Sequence, residues 1–164
     1  MVFFRIKKIK GKEYAYLVKN EWKKNDSRQK VIGYTGRIYR FKLKEDISFL
    51  KFINAEYFEK YVNENEIKKI IKDLIDWELF RFDINNNFLI DLDNKKVQKS
   101  GKDVTLQINE GFMCGLTLNN LLEFKADDQE IDGYKFAKAF VEAGIKVPQE
   151  IFIGLFGKLY KQIT

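Results

Sequence analysis

The sequence predicts an α+β chain: an N-terminal three-stranded antiparallel sheet or ribbon, a central helix and second β-hairpin, and C-terminal helices. Three observations predict it. Residues 1–41 alternate aromatic and β-branched side chains with charged ones at a period of two, interrupted by glycine- and asparagine-containing turns. Residues 46–82 change to apolar spacings of three and four, the period of a helix. From Asn109 onward leucine- and phenylalanine-rich stretches again follow helical spacing, punctuated by Gly144 and Pro148. With 164 residues, 45% of them hydrophobic and 33% charged, the chain has apolar material for a packed core.

In order along the chain, "VFFRIKKIK" predicts a first strand and Gly11-Lys12 a hairpin turn. "EYAYLVKNEWKK" predicts a second, with Tyr14, Tyr16, Val18 and Trp22 on one parity and Lys19, Glu21 and Lys23 on the other. The polar cluster "NDS" predicts a turn at residues 25–27, and "RQKVIGYTGRIYRF" a third strand in which Gly33 and Gly36 mark a bulge or a close backbone approach. "ENEIKKIIKDLIDWELFRF" predicts the main helix, its apolar stripe running Ile67, Ile70, Ile71, Leu74, Ile75, Leu79, with Asn63 or Asn65 as cap and "DINNN" as breaker. "FLIDLD" and "VTLQINE" predict a hairpin through "NKK", its middle around "QKSGKD" undefined. The acids of "DDQEIDGYKFAKAFVEAG" favour a helix start and Gly144 its stop. Pro148 opens a final helix with the stripe Ile151, Phe152, Leu155, Phe156, Leu159, expected to pack in the core or to form a homodimer interface. Residues 1–44 and 45–164 are expected as a basic sheet and a mixed body, or as one compact domain, with 85–87 as candidate boundary.

Charge divides the chain more sharply than secondary structure does. Residues 1–44 hold 14 of the 30 Lys/Arg and 3 of the 24 Asp/Glu, a balance of +11, and the remaining 16 and 21 balance at −5. Like charge at that density raises the energy of a compact segment unless something negative offsets it. A solvated lysine-rich surface is one explanation, and a face for polyanions is the other. The expected contacts are Arg5, Lys7, Lys8, Lys10, Lys12, Lys19, Lys23, Lys24, Arg28, Lys30, Arg37 and Arg40 for phosphates, with Tyr34 and Tyr39 for bases. A tyrosine taken alone reads first as ordinary core packing. Interleaving of the two residue types carries the expectation.

Other classes are narrowed by what the sequence contains. It has no histidine, so triad and zinc hydrolase chemistry loses its usual base and ligand, and a non-enzymatic role is expected without cofactor or metal. The single cysteine, Cys114, sits in an apolar stretch and is expected to be a small buried hydrophobe. No apolar run reaches the ~18–20 residues of a membrane span, and the opening residues lack the order of a secretory signal, so a cytoplasmic protein without membrane contact is expected.

In "FFRIKKIKGKEYAYLVKNEWKKNDSRQKVIGYTGR" the residues Lys10, Gly11, Lys12, Tyr14, Tyr16, Leu17 and Val18, then Arg28, Gln29, Lys30, Val31, Tyr34 and Gly36, form a pattern. It resembles the amino-terminal segment of IS4-like transposases and of small uncharacterised archaeal proteins. The resemblance covers about a fifth of the chain. In the transposases this segment precedes a ribonuclease-H-like core, for which the present chain is too short. The resemblance therefore implies a nucleic-acid-contacting module without transposition chemistry.

The expected function is nucleic-acid binding through the phosphate backbone. The aromatic content favours RNA, or a ribonucleoprotein such as the ribosome, over duplex DNA. Two alternatives stand beside it: an adaptor whose basic face docks an acidic protein, and a Mg²⁺-dependent nuclease using Asp91, Asp93 and Glu110.

Overall fold

A computed structural model describes residues 2–127 and 129–161. The N-terminal strands are β1 (Val2–Ile9), β2 (Lys12–Lys23) and β3 (Asp26–Arg40), paired antiparallel in sequence order. The first turn is Lys10-Gly11, one residue before the expected Gly11-Lys12, with φ of 50° and 77°, so both central residues are left-handed and the strands close with their natural twist. The second is Lys24-Asn25, one residue earlier than expected: Asp26 already pairs with Lys23, and Asn25 takes the positive φ of 75°. β3 carries two irregularities, at Thr35 and Ile32, where one residue of β3 has no partner on β2.

Two short helices, α1 (Phe49–Phe52) and α2 (Phe58–Glu64), lead into α3 (Ile67–Arg81). The expected apolar stripe is the core: Ile70, Ile71, Leu74 and Ile75 are all at most 2% exposed. Neither asparagine caps α3. Glu66 holds the N-cap position without a side-chain bond, and Asn65 instead donates to the Tyr61 carbonyl at the end of α2 (2.8 Å).

The second β region is richer than the expected hairpin. It comprises β4 (Phe88–Asp91), β5 (Lys96–Lys99), β6 (Lys102–Ile108) and β7 (Gly111–Met113), so the stretch "QKSGKD" is two strands joined by a Ser100-Gly101 turn. Ser100 and Gly101 take φ of 53° and 76°, the same turn geometry as Lys10-Gly11. Residues 111–113, expected as helix, pair with β6 instead. Three helices complete the chain: α4 (Gly115–Leu122), α5 (Gln129–Glu142) and α6 (Gln149–Lys161). The expected acidic start of α5 includes Asp128, which lies outside the described residues, as do the final residues 162–164.

The strand order is β1-β2-β3-β6-β5-β4, with β7 also on β6. The parallel β3–β6 pairing, from Arg37 opposite Val104 to Arg40 opposite Gln107, ties the basic N-terminal sheet to the body. Gly36 makes this contact possible. Its φ is +98°, and a Cβ there would lie 2.1 Å from the carbonyl oxygen of Asp103, so only glycine lets β3 approach β6. Thr105, fully buried, donates to the Thr35 carbonyl across the same junction (2.7 Å).

Residues opposite one another in a ladder share a sheet face. One face carries Phe4, Leu17, Ala15 and Ile38, and there Phe4 of β1 meets Phe112 of β7 with ring centroids 5.2 Å apart, so the sheet curls until its outer strands touch. The other face carries Leu106 and Met113, both fully buried, and continues through Tyr39 onto β2 and β1. α5 and α6 pack against each other, with Phe152 against Phe136 and Phe140 at 5.6 and 6.4 Å. Ile151 and Leu155 of the α6 stripe are fully buried, while Phe152, Phe156 and Leu159 pack against the core. Cys114 is 1% exposed, as expected, and burial pushes its thiol up.

A buried polar knot fixes α3 to the loops below it. Glu78, fully buried, accepts from Arg81 (3.1 and 3.2 Å), from Asn109 in the β6–β7 turn (3.1 Å), and from the Lys146 N–H before α6 (3.0 Å). Arg81 also stacks on Trp77, 4.4 Å from the ring centroid. Burial pushes the Glu78 carboxyl up, and the surrounding donors oppose that shift.

Candidate functional site

Alternation along β1–β3 sorts the expected contacts onto two faces. Arg5 lies opposite Tyr16, Lys7 opposite Tyr14, Tyr14 opposite Arg37, and Tyr16 opposite Tyr34. One face therefore holds Arg5, Lys7, Lys12, Tyr14, Tyr16, Tyr34, Arg37 and Tyr39. The opposite face holds Lys8, Lys19, Lys23, Arg28, Lys30 and Arg40, while Lys10 and Lys24 sit in turns.

The acids are segregated too. Glu13, Glu21 and Asp26 are the only carboxylates of residues 1–44, and all three belong to the second face, opposite Lys8, Arg28 and Lys23 in the ladders. Each pairs there. Arg40 grips Glu13 with two hydrogen bonds (2.7 and 2.9 Å), Lys30 lies 3.7 Å from Glu21, and Arg28 lies 3.9 Å from Asp26. The Arg40 contact holds the Glu13 carboxyl below the usual carboxylate range. Lys30, Arg28 and Arg40, expected as phosphate contacts, are thus already partnered by the chain's own acids.

On the first face the cations meet aromatic rings instead. Lys7 Nζ lies 4.8 Å from the Tyr16 ring centroid, and the Arg37 guanidinium 4.7 Å from that of Tyr39. Arg5 donates to the Gln29 side chain at 3.3 Å. Tyr34, 54% exposed, lies 5.0 Å from Tyr16 and 6.5 Å from Tyr14, ring to ring. Partial burial and its two phenolic neighbours push the Tyr34 hydroxyl up, so it stays a neutral donor. Among the described residues, Arg5, Lys7, Lys12 and Arg37 form no ion pair with a carboxylate.

The β5–β6 turn closes one side of this face. Lys99 reaches over Tyr39 (4.7 Å) and Phe88 (5.1 Å). With Lys102 and Asp103 it borders a cavity of about 520 Å³ whose other walls are Lys12, Tyr14, Tyr34, Arg37 and Tyr39. Asp103 is the one acid lining it, and its Oδ1 accepts from Gln98 (3.1 Å). A nucleotide-sized recess with cations and flat phenol rings offers both charge for phosphate and surfaces for stacking.

Sequence reasoning missed Lys99, Lys102 and Asp103, and left Tyr14 and Tyr16 unassigned. The available signal was Ser100-Gly101 between two lysines, a two-residue hairpin turn that presents both flanking ammoniums at one sheet end.

The remaining candidates resolve differently. Asp91 and Asp93 do not share a strand: β4 ends at Asp91, which caps the following turn by accepting from Asn94, and Asp93 lies beyond it in an ion pair with Lys68. Among the described residues no three His, Cys, Asp or Glu side chains gather as a metal site. A larger cavity of about 790 Å³ lies between α3, α4 and α6, but Lys68, Lys95 and Lys158 on its rim are engaged by Asp93, Glu123 and the Asn65 carbonyl. No described helix is long and apolar enough to cross a membrane.

No family model matches the chain, and no curated protein or solved structure matches it.

Proposed function

We propose that the chain binds single-stranded nucleic acid on the open face of β1–β3. Phosphates meet Arg5, Lys7, Lys12, Arg37, Lys99 and Lys102, and unpaired bases stack on Tyr14, Tyr16 and Tyr34. One observation carries this reading: the three carboxylates of residues 1–44 all lie on the other face, leaving one surface with cations and aromatic rings and no acid of its own strands. Electrostatic self-repulsion on that surface is relieved by an external polyanion. Exposed rings beside the charges favour a ligand with accessible bases, so RNA with unpaired segments fits better than duplex DNA.

Fluorescence anisotropy with a labelled single strand, the same sequence as a duplex, and polyglutamate of equal charge tests the proposal. Micromolar or tighter binding of the single strand, with weaker binding of the other two, is expected. Retention of polyglutamate without nucleic acid would assign the face to an acidic protein partner instead.

A further inference from the structure

The β2–β3 hairpin runs past the end of its neighbour. Among the described residues β1 reaches no further than Val2, opposite Lys19, and from Asn20 to Gln29 the two strands pair only with each other. Every residue from Trp22 to Ile32 is exposed. A two-stranded ribbon without a covering layer has no core, so packing does not dictate its side chains.

Near its tip stands Trp22, 83% exposed, across the ladder from Ser27, a side chain too small to shield it. Tryptophan is highly buried on average, whereas this indole has most of its surface in solvent. Lys24 stands beside it in the turn, and among the described residues it has no carboxylate partner. Trp22 shares the strand parity of Tyr14 and Tyr16, so the arm extends their face rather than turning away from it. Six residues separate Tyr16 from Trp22, ~20 Å along an extended strand.

We infer that the hairpin arm is a second contact point for a single-stranded nucleic acid, with the Trp22 indole stacking on an unpaired base. The inference rests on the reading of the tyrosine face as a nucleic-acid site. It adds a length requirement: a strand that keeps its bases stacked at ~3.4 Å per nucleotide covers the distance between the two points in about six steps.

The chain supplies its own reporter. It has two tryptophans, and the other, Trp77, is 6% exposed with its indole N–H donating to the Ile47 carbonyl (2.9 Å). Emission of a solvent-exposed indole therefore comes from Trp22. Titrating the full chain with an oligouridylate of about twelve nucleotides, within the usual site sizes for single strands, should quench that emission. Anisotropy run in parallel should show Trp22→Ala binding about tenfold weaker and Trp22→Phe close to wild type. A trinucleotide should leave the affinity difference between wild type and Trp22→Ala undetectable. Wild-type binding with unquenched emission, and Trp22→Ala affinity equal to wild type, would overturn the arm while leaving the tyrosine face intact. Absence of wild-type binding would overturn both.

Discussion

Arg40 donates two hydrogen bonds to Glu13, at 2.7 and 2.9 Å, on one face of β3, while Arg37 lies over the Tyr39 ring on the other. Two arginines three residues apart thus meet opposite fates, one paired with a carboxylate and one laid over an aromatic ring. The Arg40 hydrogen bonds hold the Glu13 carboxyl below its ordinary value of 4.5. A depressed carboxylate adds stability that is present above the unfolded value and lost as pH falls through the folded one. Glu13→Gln should therefore lower the urea midpoint at neutral pH, and the difference from wild type should shrink below about 4.5 and vanish once the pH has fallen through the lowered folded value. An unchanged difference at low pH would place the stabilisation elsewhere.

Binding should depend steeply on salt and little on pH. Six cations border the proposed face, and a single strand contacting all of them gives a slope of log K against log salt of about −4. Lys99→Ala with Lys102→Ala should make that slope shallower by about 1.4. The chain has no histidine, so affinity should stay flat between about pH 6 and 8. Isothermal titrations across salt and pH check both.

Gly36 should tolerate no side chain. At φ +98°, with the Asp103 carbonyl oxygen 2.1 Å from a built Cβ, Gly36→Ala must displace backbone at the β3–β6 junction. A loss of about 3 kcal/mol or more is expected by urea denaturation, the strained conformation alone accounting for 1–3 of it.

The Glu78–Arg81 pair is a structural clamp. Glu78→Leu leaves a 6%-exposed arginine without its carboxylate and should cost about 3–5 kcal/mol. Adding Arg81→Met should recover part of that loss, because the double variant removes the buried charge along with its partner. Failure of the second change to recover any stability would mean that the Asn109 and Lys146 contacts dominate.

The N-terminal strands, the α3 stripe and the C-terminal helices were legible because period alone specifies them: Ile70, Ile71, Leu74 and Ile75 fall on one helix face whatever surrounds them. The short strands β5 and β7 were not. Four residues at Lys96–Lys99 and three at Gly111–Met113 owe their conformation to pairing with β6, a non-local effect that local pattern does not record. At the site, sequence located the charge but not its sorting. Parity separated Arg5 and Lys7 from Lys8. The two unpaired residues of β3, Thr35 and Ile32, break the simple count, so the shared face of Tyr16, Tyr34 and Arg37 emerged only from the register. Lys99 and Lys102 reach the face through the parallel β3–β6 junction, between segments more than sixty residues apart. Lys30 and Arg40 looked equivalent to Arg37 because their acidic partners lie across strands.

A charge-matched comparison tests the central claim most directly. Lys7→Glu with Arg37→Glu alters the open face, and Lys30→Glu with Arg40→Glu alters the opposite one, with the same change in net charge. Single-strand affinity of each folded double variant is measured by anisotropy at one ionic strength. The first pair should abolish detectable binding, and the second should weaken it by no more than the few-fold effect of overall charge. Equal losses in both, or a greater loss in the second, would contradict the assignment of the ligand to the Lys7–Arg37 face.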